Sequence, residues 1–202
     1  MFVTRGFKGK RQSEDKQKRT PPGQHLTDDF PVLTAGPTQH IQLSNWRFSL
    51  NGLVKEPKTW SHQEMKKLGL QSFTCDIHCV TTWSKLDTQW EGMSIGKLLS
   101  ELDIDPAANY ALVSSYGGYT TNLPLEDLMD DKAFIAFNYD GFPLTAEHGG
   151  PARLVVPHLY FWKSAKWVKS IELRAKDQQG FWEEIGYHDY GDPWLEQRYQ
   201  GD

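Results

Sequence analysis

The chain reads as an α+β protein built on mixed β-sheets with a few short helices. Aromatic residues make up 13% of its 202 residues, with 8 Trp, 8 Tyr and 10 Phe, a bias toward side chains that suit pleated, half-buried surfaces. About seven short apolar or alternating runs are bounded by Gly, Pro, Asn and Asp, which is the pattern of strands and their turns. The helical patterns between them do not alternate strictly with strands, so a doubly wound parallel sheet is not indicated.

Taken in order, the first 29 residues carry little apolar periodicity. Arg5, Lys8, Lys10, Arg11, Lys16, Lys18 and Arg19 crowd the start of a chain whose net charge is -4. We expect a basic, mobile arm over residues 1–29 and one packed domain over 30–202, ordered from "FPVL" onward. A domain prior of roughly 100–200 residues agrees. "NWRFSLNGLV" places Trp46, Phe48 and Leu50 on one face of a strand that reaches Asn51-Gly52. Ser61 stands three residues before Glu64, a capping-box spacing, and Gly69 is a stop, predicting a helix from Ser61 to Leu68.

"SFTCDIHC" predicts a strand, and "SIGKLLSEL" a helix with Ile95, Leu98, Leu99 and Leu102 on one stripe. "YALVSSY" and "AFIAFNYDGFPLT" are strand-like, the second turning at Asp140-Gly141. "ARLVVPHLYF", "VKSIELRA" and "GFWEEIG" complete the strands, and the aromatic tail after them packs along the surface.

Three segments bear chemistry. Cys75, His78 and Cys79 resemble a zinc set, but on a strand the two thiols lie roughly 13 Å apart at about 3.3 Å per residue. That is too far for one zinc with Zn–S near ~2.3 Å, or for a disulfide with Cα atoms within about 7 Å. Thr81, Thr82 and Ser84 are polar where a core strand would continue, so the strand ends at Cys79 and this thiol can face a cleft. The alternative is a small buried hydrophobe, which is our reading of Cys75. His148-Gly149-Gly150-Pro151 leads into a strand that places Arg153 with Val155 on one face. Arg153 keeps its charge and needs water, a carboxylate or a phosphate. "WKSAKWVKS" carries Lys163, Lys166 and Lys169 between tryptophans, either as a solvated loop or as a source of cations.

Together "CVTTWSKLDTQWEGMSIGKLL", "HGGPARLVVPHLYFWKSAKWVKSIEL" and "GFWEEIGYHDYGDPW" resemble the molybdopterin-binding domain of the sulfite oxidase family, most closely its short soluble bacterial members. The resemblance spans Phe30 to the C-terminus. It implies the sulfite oxidase-type fold and a molybdenum–molybdopterin cofactor in the mononucleotide-free pyranopterin form. The protein ligand to the metal falls on Cys79, where a soft thiolate suits the metal. Arg153, Ser164 and Lys166 fall where the pterin phosphate is held, His148 and Ser115 at polar pterin contacts, and His78 and Tyr119 at the substrate mouth.

The implied activity is a two-electron oxo transfer on a small sulfur- or nitrogen-containing substrate, with electrons exchanged through a separate redox protein. No arginine cluster for an oxyanion is visible, so sulfite itself is not implied. The rival readings are a carrier that holds molybdopterin without turnover and a zinc protein. The sequence shows no twin-arginine pair, no apolar leader and no run of 18 apolar residues. The expectation is therefore a cytoplasmic protein with no membrane span, and the broken basic arm gives no reason to expect nucleic acid binding.

Overall fold

Residues 14–202 are described by the structure, a computed structural model. In chain order the elements are α1 (Glu14–Lys18), β1 (His25–Leu26), β2 (Arg47–Gly52), β3 (Lys58–Ser61), α2 (His62–Lys67), β4 (Gln71–His78), β5 (Trp83–Ser94), α3 (Ile95–Ser100), β6 (Tyr110–Ser115) and β7 (Thr120–Pro124). They continue as β8 (Phe134–Tyr139), β9 (Phe142–Pro143), β10 (Arg153–Val155), β11 (Val168–Arg174) and α4 (Phe181–Glu184). One sheet runs β3-β2-β11-β6-β7, and β2 pairs parallel with β11. The other runs β1-β5-β8-β10, with β4 added to β5 and β9 to β8. Both sheets are mixed, as the α+β reading expects.

Strand alternation determines what each sheet buries. Ile135 and Phe137 of β8 face the main core with Phe48 and Leu50 of β2, Val113 of β6 and Ile171 of β11. Phe134 and Ala136, on the opposite face of β8, join Ile77, Cys79, Trp83, Trp90 and Val155 in a second cluster. The second sheet therefore has two apolar faces, and the functional cavity opens on the one turned away from the main core. The helices close the main core: Met65 of α2 and Ile95, Leu98 and Leu99 of α3 are buried there. The capping box of α2 forms as its spacing predicts, with Ser61 Oγ accepting from Glu64 N–H and the Glu64 carboxylate accepting from Ser61 N–H.

Several expectations change. Eleven strands form among the described residues, more than the seven or so expected. The longest, β5, was not foreseen, because Ser84, Lys85, Asp87, Thr88, Gln89 and Glu91 hide its alternation. Ser84 and Thr88 are nonetheless buried, since Ser84 meets His78 and Thr88 caps the Cys75 carbonyl. "GFWEEIG" forms α4 and not a strand: Glu184 N–H closes a turn on the Gly180 carbonyl, which points Glu183 inward to Lys163.

The boundary at Phe30 is also corrected. Residues 1–13 lie outside the described residues, but from Glu14 onward the leader is part of the domain. β1 pairs parallel with the start of β5, and Arg19 donates to both Asp76 oxygens and to Asp87. The open edge of β5 and two neighbouring carboxylates draw the segment in. Among the described residues, no helix is long and apolar enough to cross a membrane.

Candidate functional site

At the end of β4 the chain reverses through residues 79–82 into β5. Cys79 N–H donates to the Trp83 carbonyl at 2.8 Å and Thr82 N–H to the Cys79 carbonyl at 3.0 Å. Thr82 takes a left-handed backbone, φ 75°. This tight reversal explains why the polar run after Cys79 is not a continuing strand. Cys79 is 7% exposed, its Sγ is 3.1 Å from Thr81 Oγ1, and it lines a cavity of about 360 Å³. Burial pushes its thiol above the ordinary value, against the opposing pull of the Thr81 hydrogen bonds. Such a thiol stays protonated until a cation draws it to the thiolate.

The cavity is walled by segments distant in sequence. The β6–β7 turn gives Gly117, Gly118 and Tyr119, and the loop before β11 gives Ser164 to Trp167. Residues 30–39 form a strap, and α4 with its sequel gives Phe181, Trp182 and Tyr187. Gly149 brings the backbone close: at φ 103° a Cβ there would lie about 3.0 Å from Arg153 Cβ and 3.1 Å from Lys166 Cα.

Arg153 is buried on this wall at 1% exposure. Its Nη1 donates to the His148 carbonyl at 2.9 Å and its Nη2 to the Ser164 carbonyl at 2.8 Å, and the guanidinium lies 4.2 Å from the Phe161 ring centre. Among the described residues no carboxylate pairs with it, and burial pushes it below its ordinary value. Lys166 Nζ donates to the Leu33 and Glu147 carbonyls, and burial, then Arg153, pushes its pKa down to about 8. Two cations thus lie on one wall, and among the described residues neither makes a salt bridge with a carboxylate, although the Glu147 charge acts on Lys166. An arginine does not shed its charge, so this arrangement suits an anionic group.

Of the residues singled out in the sequence, Cys79, Tyr119, Arg153, Ser164 and Lys166 meet at the cavity. Ser164 Oγ accepts from Val156 N–H, which leaves its carbonyl to Arg153. Tyr119 donates its hydroxyl to the Trp162 carbonyl at 2.6 Å, and burial holds the phenol well above its ordinary value. His78, expected at the substrate mouth, is off the wall. As the neighbour of Cys79 at a strand end, it faces the other way and holds Ser84 Oγ at 2.8 Å from its Nδ1. Burial pushes its pKa down to about 4.

His148 and Ser115 also stand behind the wall. The His148 ring stacks on Phe30 at 4.0 Å, with its Nδ1 buried and unpartnered, and the Ser115 hydroxyl is likewise buried without a partner. Lys163, read as part of a solvated lysine loop, is fully buried against Glu183. The zinc reading is not built, since among the described residues no three His, Cys, Asp or Glu groups converge, and Cys75 and Cys79 are both free.

The strap and Trp83, whose indole Nε1 is buried without an acceptor, were missed in the sequence. The Gly117-Gly118 turn was a findable signal, a glycine pair between two strand patterns. The residues present therefore fit an anionic cofactor: an unpaired buried cation, a second cation beside it, and a soft thiol across the same cavity.

A family model described as an oxidoreductase molybdopterin-binding domain matches residues 35–182. The uncharacterized oxidoreductase YuiH of Bacillus subtilis is 40% identical over 195 residues, covering 96% of this chain and 98% of YuiH. The catalytic subunit of the protein-methionine-sulfoxide reductase MsrP of Ralstonia nicotianae is 25% identical, over 72% of this chain and 49% of that protein. Among solved structures, the sulfane dehydrogenase SoxCD of Paracoccus pantotrophus aligns with a TM-score of 0.62 at 18% identity, covering 87% of this chain and 56% of that one. The chain spans about half the length of these last two proteins and nearly all of YuiH. With a thiol, two cations and one cavity in the matched region, the chain belongs to the family of oxidoreductases with a molybdopterin-binding domain.

Proposed function

We propose that this oxidoreductase carries molybdenum on a nucleotide-free molybdopterin and performs two-electron oxo transfer on a small sulfur- or nitrogen-containing substrate, exchanging electrons with a separate redox protein. The observation that carries the reading is Arg153, a buried cation without a carboxylate on the wall of the cavity that also holds the Cys79 thiol. The cavity falls within the range of roughly 300–1,000 Å³ usual for ligand sites. The names of the relatives MsrP and SoxCD denote sulfur chemistry, which favours a sulfur compound. A reducing, cytoplasmic setting is in keeping with two unbridged cysteines.

When bound, the cofactor supplies the two-electron redox couple and the oxo exchange. Cys79 offers the metal a soft thiolate from a fixed turn. Arg153 presents a planar fork that can grip two phosphate oxygens, and Lys166 adds a point charge next to it. Ser164 holds the Arg153 fork in place through its carbonyl. Tyr119 keeps its proton at neutral pH because burial disfavours the phenolate, and gives it to the Trp162 carbonyl, which fixes the ring on the cavity wall.

Protein from a molybdenum-replete host should contain molybdenum by elemental analysis and pterin by fluorescence. Cys79→Ser should lose molybdenum-dependent redox activity, whereas Cys75→Ser should retain metal and activity. Swapped outcomes would transfer the ligand role to Cys75. Pterin and molybdenum bound without any redox-active signal would identify a carrier.

A further inference from the structure

Segments before β2 and after α4 converge on the turn that bears Cys79. From the N-terminal side, Gln24 Nε2 donates to the Cys79 carbonyl at 3.1 Å. The Gln24 amide is itself oriented: its Oε1 accepts from Ser84 Oγ at 3.4 Å, and Ser84 Oγ lies 2.8 Å from His78 Nδ1. Behind Gln24, β1 pairs with Trp83 and Ser84, and His25 N–H donates to the Thr82 carbonyl at 2.8 Å. From the C-terminal side, Arg198 Nη1 donates to the Val80 carbonyl at 2.7 Å, and its guanidinium lies 5.0 Å from the Tyr160 ring centre.

The carbonyls of Cys79 and Val80 are consecutive, so the two donors grip adjacent peptide groups of one turn. Neither donor lines the cavity. Buried backbone carbonyls need partners, but residues 76–84 could have met that need locally. The Cys79 carbonyl does so through Thr82 N–H, yet it also takes Gln24 from 55 residues away, and the Val80 carbonyl takes Arg198 from 118 residues away. A turn closed by two short hydrogen bonds fixes its own path, but its tilt relative to the cavity is set by what grips it from outside.

We propose that Gln24 and Arg198 are positioning residues that clamp the Cys79 turn from segments before β2 and after α4, and that the His78–Ser84 pair orients the Gln24 amide for this task. The clamp itself is independent of any cofactor, while its use in holding a metal ligand rests on the function proposed above. It gives His78 a role behind the thiol. It also explains why the segment before Phe30 is packed: the strand pairing of β1 delivers Gln24 to the turn.

The thiol can be read without cofactor. In a Cys75→Ser background, the alkylation rate of cofactor-free protein is followed across a pH series and expressed per thiolate, so that it reports how well Sγ is held under cover and not the thiolate fraction, which the Arg198 charge also sets. Gln24→Glu keeps the side-chain shape and removes the donor; it should raise the alkylation rate roughly tenfold, the effect of losing one buried hydrogen bond on local opening. Arg198→Ala should act similarly and Arg198→Lys should recover part of the protection. Should Gln24→Glu fail to fold, Ser84→Ala, which leaves the donor and frees its orientation, reads the same link with a smaller increase.

In loaded enzyme the same variants should alter the Mo(V) electron paramagnetic resonance signal while metal content stays within about twofold, because the phosphate contacts are untouched. Unchanged alkylation rates in both Gln24→Glu and Arg198→Ala would overturn the clamp, whether or not molybdenum is present. Molybdenum absent from the wild type, with the alkylation effects intact, would instead remove the cofactor reading and leave the clamp standing.

Discussion

Lys163 and Arg153 are both fully buried cations in the same part of the molecule, yet they are kept in opposite ways. Lys163 Nζ sits 2.7 Å from Glu183 Oε1, both side chains at 0% exposure, and it also reaches the Asn122 and Asp189 carbonyls. Thr121 and Trp162 donate to the same Glu183 oxygen. That lysine is a rivet joining the loop after β10 to β7 and α4. Among the described residues, Arg153 donates to backbone carbonyls and lies against the Phe30, Trp90 and Phe161 rings, with no carboxylate beside it. Desolvating a charge without an opposite charge is costly, and a fold that had only stability to satisfy would place a carboxylate there, as it does for Lys163. Two buried cations ten positions apart thus separate a structural pair from a cation held for a ligand.

The largest effect expected from breaking this contrast is on Lys163. Lys163→Met leaves Glu183 buried and unpaired, which should cost about 3–5 kcal/mol in denaturant unfolding. Lys163→Met with Glu183→Gln should recover much of that. A double variant as unstable as the sum of the singles would show that the two residues act separately.

Arg153→Met should be milder on stability, about 1–3 kcal/mol from the His148 and Ser164 carbonyls it leaves unmet. Its main effect should fall on occupancy, with molybdenum and pterin content down by tenfold or more, and Arg153→Lys should rescue in part because it lacks the planar fork. Full occupancy in Arg153→Met would make Arg153 a structural group like Lys163.

The smallest effect concerns Lys166 and pH. Its pKa is about 8 in the folded protein against 10.5 ordinarily, so between those values the unfolded chain binds more protons. Stability must then rise with pH across that window. Relative to Lys166→Met, cofactor-free wild type should gain stability from about pH 8 to 10.5 and lose that gain as pH falls through 8. A bound anion favours the charged lysine, so loaded protein should show a shallower pH dependence. An equal slope in both forms would place the anion away from Lys166.

Much of this was legible in the sequence where the cause is local. The Ser61–Glu64 capping box and the Asp140-Gly141 turn, with φ of 50° and 80°, depend on residues within four positions of one another. Arg153 and Val155 on one face of β10 follow from strand alternation alone, and the structure puts Val155 in the second cluster as that reading requires. Cys79 at a strand end was inferred from the polar residues after it, and the turn there is real.

What the sequence could not supply are relations made across the chain. Whether Arg153 finds a carboxylate depends on every segment that folds over β10. The inward turn of Glu183 in α4 depends on Lys163, twenty residues earlier and in another element. The leader looked like a free arm because its cations outnumber its apolar residues, yet Asp76 and Asp87, brought together by the β4–β5 pairing, hold Arg19 and bring Gln24 to the turn. Residue type and spacing determined the elements and the chemistry each side chain can offer. The tertiary structure alone decided which charges are paired, which face of a strand end meets the cavity and which distant donor holds a carbonyl, because those depend on the geometry of segments that only folding brings within hydrogen-bond reach.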